Sequence, residues 1–227
     1  MESEEKEVKE ICGMSRRSFA LGCGASAVLL AMGGLKLVPA QAQVRPPGGQ
    51  DEDRLLSSCI RCQRCVEACP HKCLAPAHLE DGILGVRTPV FNFQAVDSNG
   101  TGTGWCDLCE GVEGGPRCIA ACPTDALKLT ADQPTVDDIC MGVAVINKDW
   151  CQAWVRENDC RVCIDACPKQ AITLLMDEGS DGGHKPVVDA SLCNGCGACE
   201  NVCVSLKTGS VIEGATDRAI TVQPIEA

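Results

Sequence analysis

Four times along this chain, four cysteines crowd into one short stretch. The first group reads Cys59-x2-Cys62-x2-Cys65-x3-Cys69-Pro70, and the fourth reads Cys193-x2-Cys196-x2-Cys199-x3-Cys203. The second (Cys106, Cys109, Cys118, Cys122) and third (Cys151, Cys160, Cys163, Cys167) keep the Cys-x3-Cys-Pro ending. Each of these two also carries an eight-residue insertion, Glu110 to Arg117 in the second and Gln152 to Asp159 in the third. Cysteines so close in sequence point into one shared volume, so each group must wrap something rather than bridge distant strands. The proline after a group stops its turn from running on as a helix and releases the chain into an extended segment. Pro70, Pro123 and Pro168 do this; Val204 stands in that place after the fourth group.

The chain has 227 residues, 20 of them Cys. With no Tyr, three Phe and three Trp, large side chains cannot fill much of a core, so something else must occupy the middle. Three occupants compete. Disulfides suit an oxidising compartment, but Cys-x2-Cys-x2-Cys is poor disulfide geometry. Zinc accepts Cys-x2-Cys pairs, but four cysteines in one tight loop closing on Cys-Pro are unlike a zinc ribbon. The spacing instead suits cubic iron–sulfur clusters: three thiolates wrap one corner, and the fourth reaches across to a neighbouring cluster. Four groups therefore predict four [4Fe-4S] clusters with sixteen cysteine ligands. No Cys-x-x-Cys is followed by His, which excludes covalently attached haem. The predicted pairing joins the second group with the third and the first with the fourth; the alternative joins first with second and third with fourth.

Residues 1–42 read as an export signal. Arg16 and Arg17 precede Phe19, an apolar stretch runs from Phe19 to Val38, and Ala40-Gln41-Ala42 is a small-x-small cleavage site. Twin-arginine export suits a cluster protein, which must fold before it crosses a membrane. Residues 43–54, with Pro46-Pro47-Gly48-Gly49, read as a flexible linker. Residues 55–227 hold all four groups. Predicted strands are Thr88 to Phe93, Ala126 to Thr130, Val143 to Ile146, Ala171 to Leu175, Pro186 to Asp189 and Ala219 to Pro224. An internal repeat aligns Val145 to Cys151 with Val187 to Cys193. Each unit runs strand, cysteine loop, short helix, strand. The fold class is thus α+β: tandem two-cluster modules of short strands, short helices and cluster-binding loops. The long connection from Pro70 to Trp105 reads as a docking element or a surface loop.

Residues 1–42 balance five acids (Glu2, Glu4, Glu5, Glu7, Glu10) against five bases (Lys6, Lys9, Arg16, Arg17, Lys36), so the remainder keeps the whole net charge of −11. That argues against nucleic acid as a partner. Cys12 and Cys23 lie in the signal, while Cys73 and Cys140 read as buried thiols or a mutual disulfide. His71, His78 and His184 have no partner spacing and read as surface residues. Trp105 and Trp150 each precede a first ligand and read as shields that keep water from a cluster. No catalytic constellation is visible. Four thiolates saturate a cluster, so the chain reads as an electron-transfer component rather than a catalyst.

The twin-arginine signal and the motifs CIRCQRCVEACP, CDLC-x8-CIAACP, CRVCIDACP and CNGCGACENVC resemble the NapG/MauM family of periplasmic ferredoxin-type proteins. The resemblance implies a periplasmic relay that is peripheral to the membrane through a NapH-like quinol-oxidising partner. It would pass electrons to a periplasmic reductase or cytochrome, with nitrate reductase favoured. The alternatives are a MauM-like role in methylamine utilisation, or an electron-transfer subunit of a molybdenum oxidoreductase.

Overall fold

The computed structural model describes residues 42–94, 104–131, 134–156, 158–176, 184–206 and 212–225. These belong to one unit, Ala40–Ala227. The export-signal reading falls on residues 1–42, of which all but Ala42 lie outside the described residues.

The architecture is mixed α+β, with every element short. Helix α1 (Glu52–Ser58) starts on Asp51, whose carboxylate accepts from the Arg54 amide, and buries Leu55. Helix α2 (Arg64–Ala68) follows the first cysteine loop. Strands β1 (Leu74–Pro76) and β2 (Pro89–Phe91) pair antiparallel. Helix α3 (Arg117–Ala120) lies in the second group. Next come β3 (Val143–Ile146), helices α4 (Gln152–Val155) and α5 (Val162–Asp165) in the third group, and β4 (Ile172–Met176). Strand β5 (His184–Val188), helix α6 (Ala198–Val202) in the fourth group, and β6 (Ile220–Gln223) close the described chain.

Residues 143–223 contain the two aligned repeats. Each reads strand, cysteine loop, helix, strand, and the repeats interlock: β3 pairs antiparallel with β6, and β4 with β5. The outer strand of one repeat thus pairs with the outer strand of the other. Two small cores result, and cysteines belong to both. One gathers Leu55, Leu74, Leu127, Ile139 and Met141 around the first and second groups. The other gathers Ala144, Ile172 and Ile220 around the third and fourth.

Two expectations need correction. Ala126 to Thr130 is not a strand. Its neighbour is the segment around Gly48, to whose carbonyl the Lys128 amide donates at 3.0 Å. Pro46 and Pro47 in that segment have no N–H, so no ladder can form beside it. The same segment lies in the flexible linker expected over residues 43–54, yet Arg45 to Gly49 are buried. Arg45 anchors it. Its guanidinium holds both carboxylate oxygens of Glu52 and also donates to Thr88 Oγ1 and to the Pro89 carbonyl. Glu52, Asp53 and Arg54, at the end of the same stretch, open α1, and loose backbone and loose attachment are different properties.

The two cysteine-rich halves are knit by backbone. Cys106 N–H donates to the Cys196 carbonyl at 2.8 Å, and Met141 N–H to that of Asn194 at 2.9 Å. Gly195 (φ +74°) permits this approach: a Cβ there would lie 2.5 Å from the Gly142 nitrogen.

Candidate metal centres

The sixteen grouped cysteines line four cavities of about 310 to 400 Å³, four to each cavity. The first holds Cys59, Cys62 and Cys65 with Cys122. The second holds Cys106, Cys109 and Cys118 with Cys69. The third holds Cys193, Cys196 and Cys199 with Cys167. The fourth holds Cys151, Cys160 and Cys163 with Cys203. In every group the first three cysteines stay together, and the fourth, next to the chain's exit, crosses to a partner group. The partners are first with second and third with fourth, which corrects the pairing expected from sequence. Spacing within a group carries no information about which loops face each other. The interlocked strands decide it: β3–β6 and β4–β5 place the third group against the fourth.

The cavities form a row. Cys65 of the first stands close enough to Cys118 of the second to raise its pKa. Cys106 of the second and Cys196 of the third share a backbone hydrogen bond. Cys199 of the third lies in the field of Cys163 of the fourth.

Burial dominates the thiol chemistry. It pushes Cys65 and Cys196 up to about 11 and Cys163 up to about 12, and it raises Cys118 and Cys199 as well. The adjacent thiols in each set push the same way. Four thiolates therefore gather in such a cavity only around a cation. Among the described residues, no three or more His, Cys, Asp or Glu converge to hold a single metal ion. The thiols ring a volume instead of a point, unlike a tetrahedral zinc site. Backbone N–H groups of Arg61, Ala144 and Ala171 point at Cys59, Cys193 and Cys167 Sγ at 3.4, 3.4 and 3.3 Å. These are the hydrogen bonds that tune iron–sulfur sites. Donor type, donor number and cavity shape all fit a [4Fe-4S] cluster.

None of the eighteen described cysteines is in a disulfide. Cys73 and Cys140 stand apart. Cys140 Sγ donates to the carbonyls of Gly142 and Cys193. Cys73 is a fifth thiol on the second cavity. Its sulfur lies 3.6 Å from Cys69 Sγ. Hydrogen bonds to Cys106 and Cys69, together with burial, push its pKa up, while the hydrogen bond from Cys73 brings Cys69 down to about 5.

Sequence reasoning missed this contact, although Cys69 and Cys73 stand only four residues apart. It also misread His71. That side chain is half-buried, with Nε2 2.8 Å from Asp107 Oδ2, and it stacks on Trp105 beside the second cavity. Trp105 packs against the core there, and Trp150 is half-buried just before Cys151. His78 begins a 3-10 turn at Leu79–Asp81, and His184 opens β5.

Comparison with known proteins agrees with this geometry. Residues 158–205 match the family described as a 4Fe-4S dicluster domain, and residues 56–80 match a 4Fe-4S binding domain. The chain is 35% identical to the ferredoxin-type protein NapG of Escherichia coli over 191 residues, covering 80% of this chain and 75% of that protein. It is 34% identical to the methylamine utilization ferredoxin-type protein MauM of Paracoccus denitrificans, over 71% of this chain and 66% of that one. NapG of Haemophilus influenzae is 30% identical over 90% of this chain and 73% of its own. The chain belongs to the NapG/MauM family of ferredoxin-type proteins. As a member it binds 4Fe-4S clusters and serves in electron transfer.

Proposed function

We propose that the chain is a four-cluster electron relay of the periplasm, with the sixteen grouped cysteines as iron ligands. The observation that carries this reading is the row of four cysteine-ringed cavities, each completed by a thiol from its partner group. When bound, [4Fe-4S] clusters accept and release single electrons. The protein's own part is to hold them in a fixed order, to keep water from them with Trp105 and its neighbours, and to tune them through backbone N–H groups. Four thiols per cavity leave no iron position for a substrate, so the chain relays electrons and transforms nothing itself.

A relay needs a donor and an acceptor. Among the described residues no helix is long and apolar enough to cross a membrane. The family likeness to NapG supports a membrane quinol-oxidising partner of the NapH kind and a periplasmic reductase as acceptor, with nitrate reductase first. The likeness to MauM, at nearly the same identity, keeps methylamine utilisation as the second reading. Arg16 and Arg17 support folded export by the twin-arginine route.

The test follows cluster absorbance under quinol. Membranes containing the partner should bleach the clusters, and purified protein mixed with quinol alone should not. Equal rates without membranes would overturn the two-component reading.

A further inference from the structure

The two ends of the row differ in chemistry. The cavity at one end, ringed by Cys151, Cys160, Cys163 and Cys203, has no charged residue in its lining. The cavity at the other end, ringed by Cys59, Cys62, Cys65 and Cys122, is lined by Arg61, Arg64 and Arg87 and by no carboxylate. Glu67 lies one turn beyond Arg64 on α2. This concentration of positive charge sits on a chain whose net charge is −11. The same mouth exposes Cys62, the one exposed cysteine among the described residues. Ile60, 64% exposed, lines the same mouth, and Leu84, 72% exposed, belongs to the loop whose carbonyls Arg61 holds.

The mouth is built rather than loose. Arg61 donates through Nε to the Val86 carbonyl at 2.8 Å and through Nη2 to that of Leu84 at 2.9 Å. Gln63 Nε2 donates to the Arg87 carbonyl at 2.8 Å. These bonds clamp the 83–87 loop onto the first cysteine loop. Arg61, Gln63 and Arg87 all hold a left-handed backbone, with φ of 58°, 66° and 64°. Non-glycine residues hold that conformation only where their surroundings over-determine it, and such positions gather at functional sites.

We propose that this arginine-rimmed mouth is the docking surface for the acidic face of a redox protein, which exchanges electrons with the row through the cluster at Cys62. The inference rests on the relay reading. An exposed ligand shortens the path for an electron only toward another redox centre, and a lipid surface has none. Exposed aliphatic side chains beside arginines are the make-up of a protein interface, where Arg is enriched. Arginine clusters on a net-acidic chain speed and orient an acidic partner's approach while the rest of the surface repels it.

The experiment uses the holoprotein, reduced anaerobically and mixed in a stopped-flow cell with acidic plastocyanin as the probe. One electron leaves a reduced cluster, which returns to its oxidised level, and Cu(II) becomes Cu(I). Transfer should slow as salt rises, although both proteins are net negative. Arg61→Gln with Arg64→Gln and Arg87→Gln should slow it about tenfold at low salt and reverse the salt dependence. Iron content should not change. Transfer to basic cytochrome c should be equal or faster, because a repelling patch is gone. Arg64→Glu alone, at an exposed first helical residue, serves the same test if the triple variant does not fold.

Wild-type transfer to plastocyanin that speeds up with salt, or a charge variant indistinguishable from wild type, would overturn the docking surface and leave the relay standing. Loss of transfer to both acceptors at full iron content would overturn the docking assignment, because charge would not be the cause. Clusters that take up no electrons at all would instead sink the relay reading. Binding to phosphatidylglycerol vesicles that the same substitutions abolish, with plastocyanin rates unmoved, would assign the face to lipid and refute the proposal.

Discussion

At the scale of the residue, a cysteine's neighbours in sequence do not tell which cavity it lines. Cys69 follows Cys65 by four residues yet lines the cavity of Cys106, Cys109 and Cys118; Cys122 makes the reverse crossing. The two crossings make a prediction that separates this pairing from its alternatives. Cys69→Ser should perturb the same cluster signal as Cys118→Ser, and Cys122→Ser the same one as Cys62→Ser, each costing up to about four iron per chain. Electron paramagnetic resonance of the reduced variants reads this directly. A Cys122→Ser spectrum matching that of a third-group variant such as Cys160→Ser would contradict the pairing. The groups and their spacing were plain in the sequence because ligation is local. Their pairing was not, because it depends on which strands meet. Cys73 shows the same limit: nothing in Cys-Pro-His-Lys-Cys says that the fifth thiol turns back onto the fourth.

Elements follow the same division. Strands β3 and β6 were legible because a β-branched run such as Val143-Ala144-Val145-Ile146 has one good use, to pair and cover a core. The expected strand at Ala126 failed because its neighbour carries two prolines. The stretch 43–54 reads as detached because its Pro and Gly report backbone conformation and say nothing of contacts. One residue, Arg45, decides its fate by spending its donors on Glu52, Thr88 and Pro89. Arg45→Ala would leave Thr88, itself buried, and the Glu52 carboxylate without this partner. The cost should be about 2–3 kcal/mol, toward the low end for a broken buried pair because Glu52 is half-exposed. Thermal unfolding of the holoprotein measures the loss. Limited proteolysis should show new cleavage between residues 43 and 50 in the variant. A melting temperature and a digestion pattern equal to wild type would restore the flexible-linker reading.

At the scale of the molecule, the described residues form two modules of two cysteine-ringed cavities each, joined through the contact of Cys106 with Cys196, so the four cavities make one row with two chemically distinct ends. Fold class was legible from the fourfold repeat, since four local wraps that exchange their last thiol leave few arrangements. The order of the row was not, because it rests on backbone contacts between modules, at Met141 with Asn194 and at Gly195 with Gly142. Export belongs to this scale too, since the route moves the finished object. Replacing Arg16 and Arg17 together by Lys should hold the protein in the cytoplasm with its clusters assembled. Cell fractionation checks this, and normal periplasmic accumulation of the variant would exclude the twin-arginine route.

The relay requires a cubic cluster in each cavity. Iron and acid-labile sulfide in anaerobically purified protein test that most directly. Four cavities of four thiols predict about sixteen iron and about sixteen sulfide per chain. Eight iron or fewer in protein that retains all its cysteines, or zinc in place of iron with no sulfide, would contradict the four-cluster row.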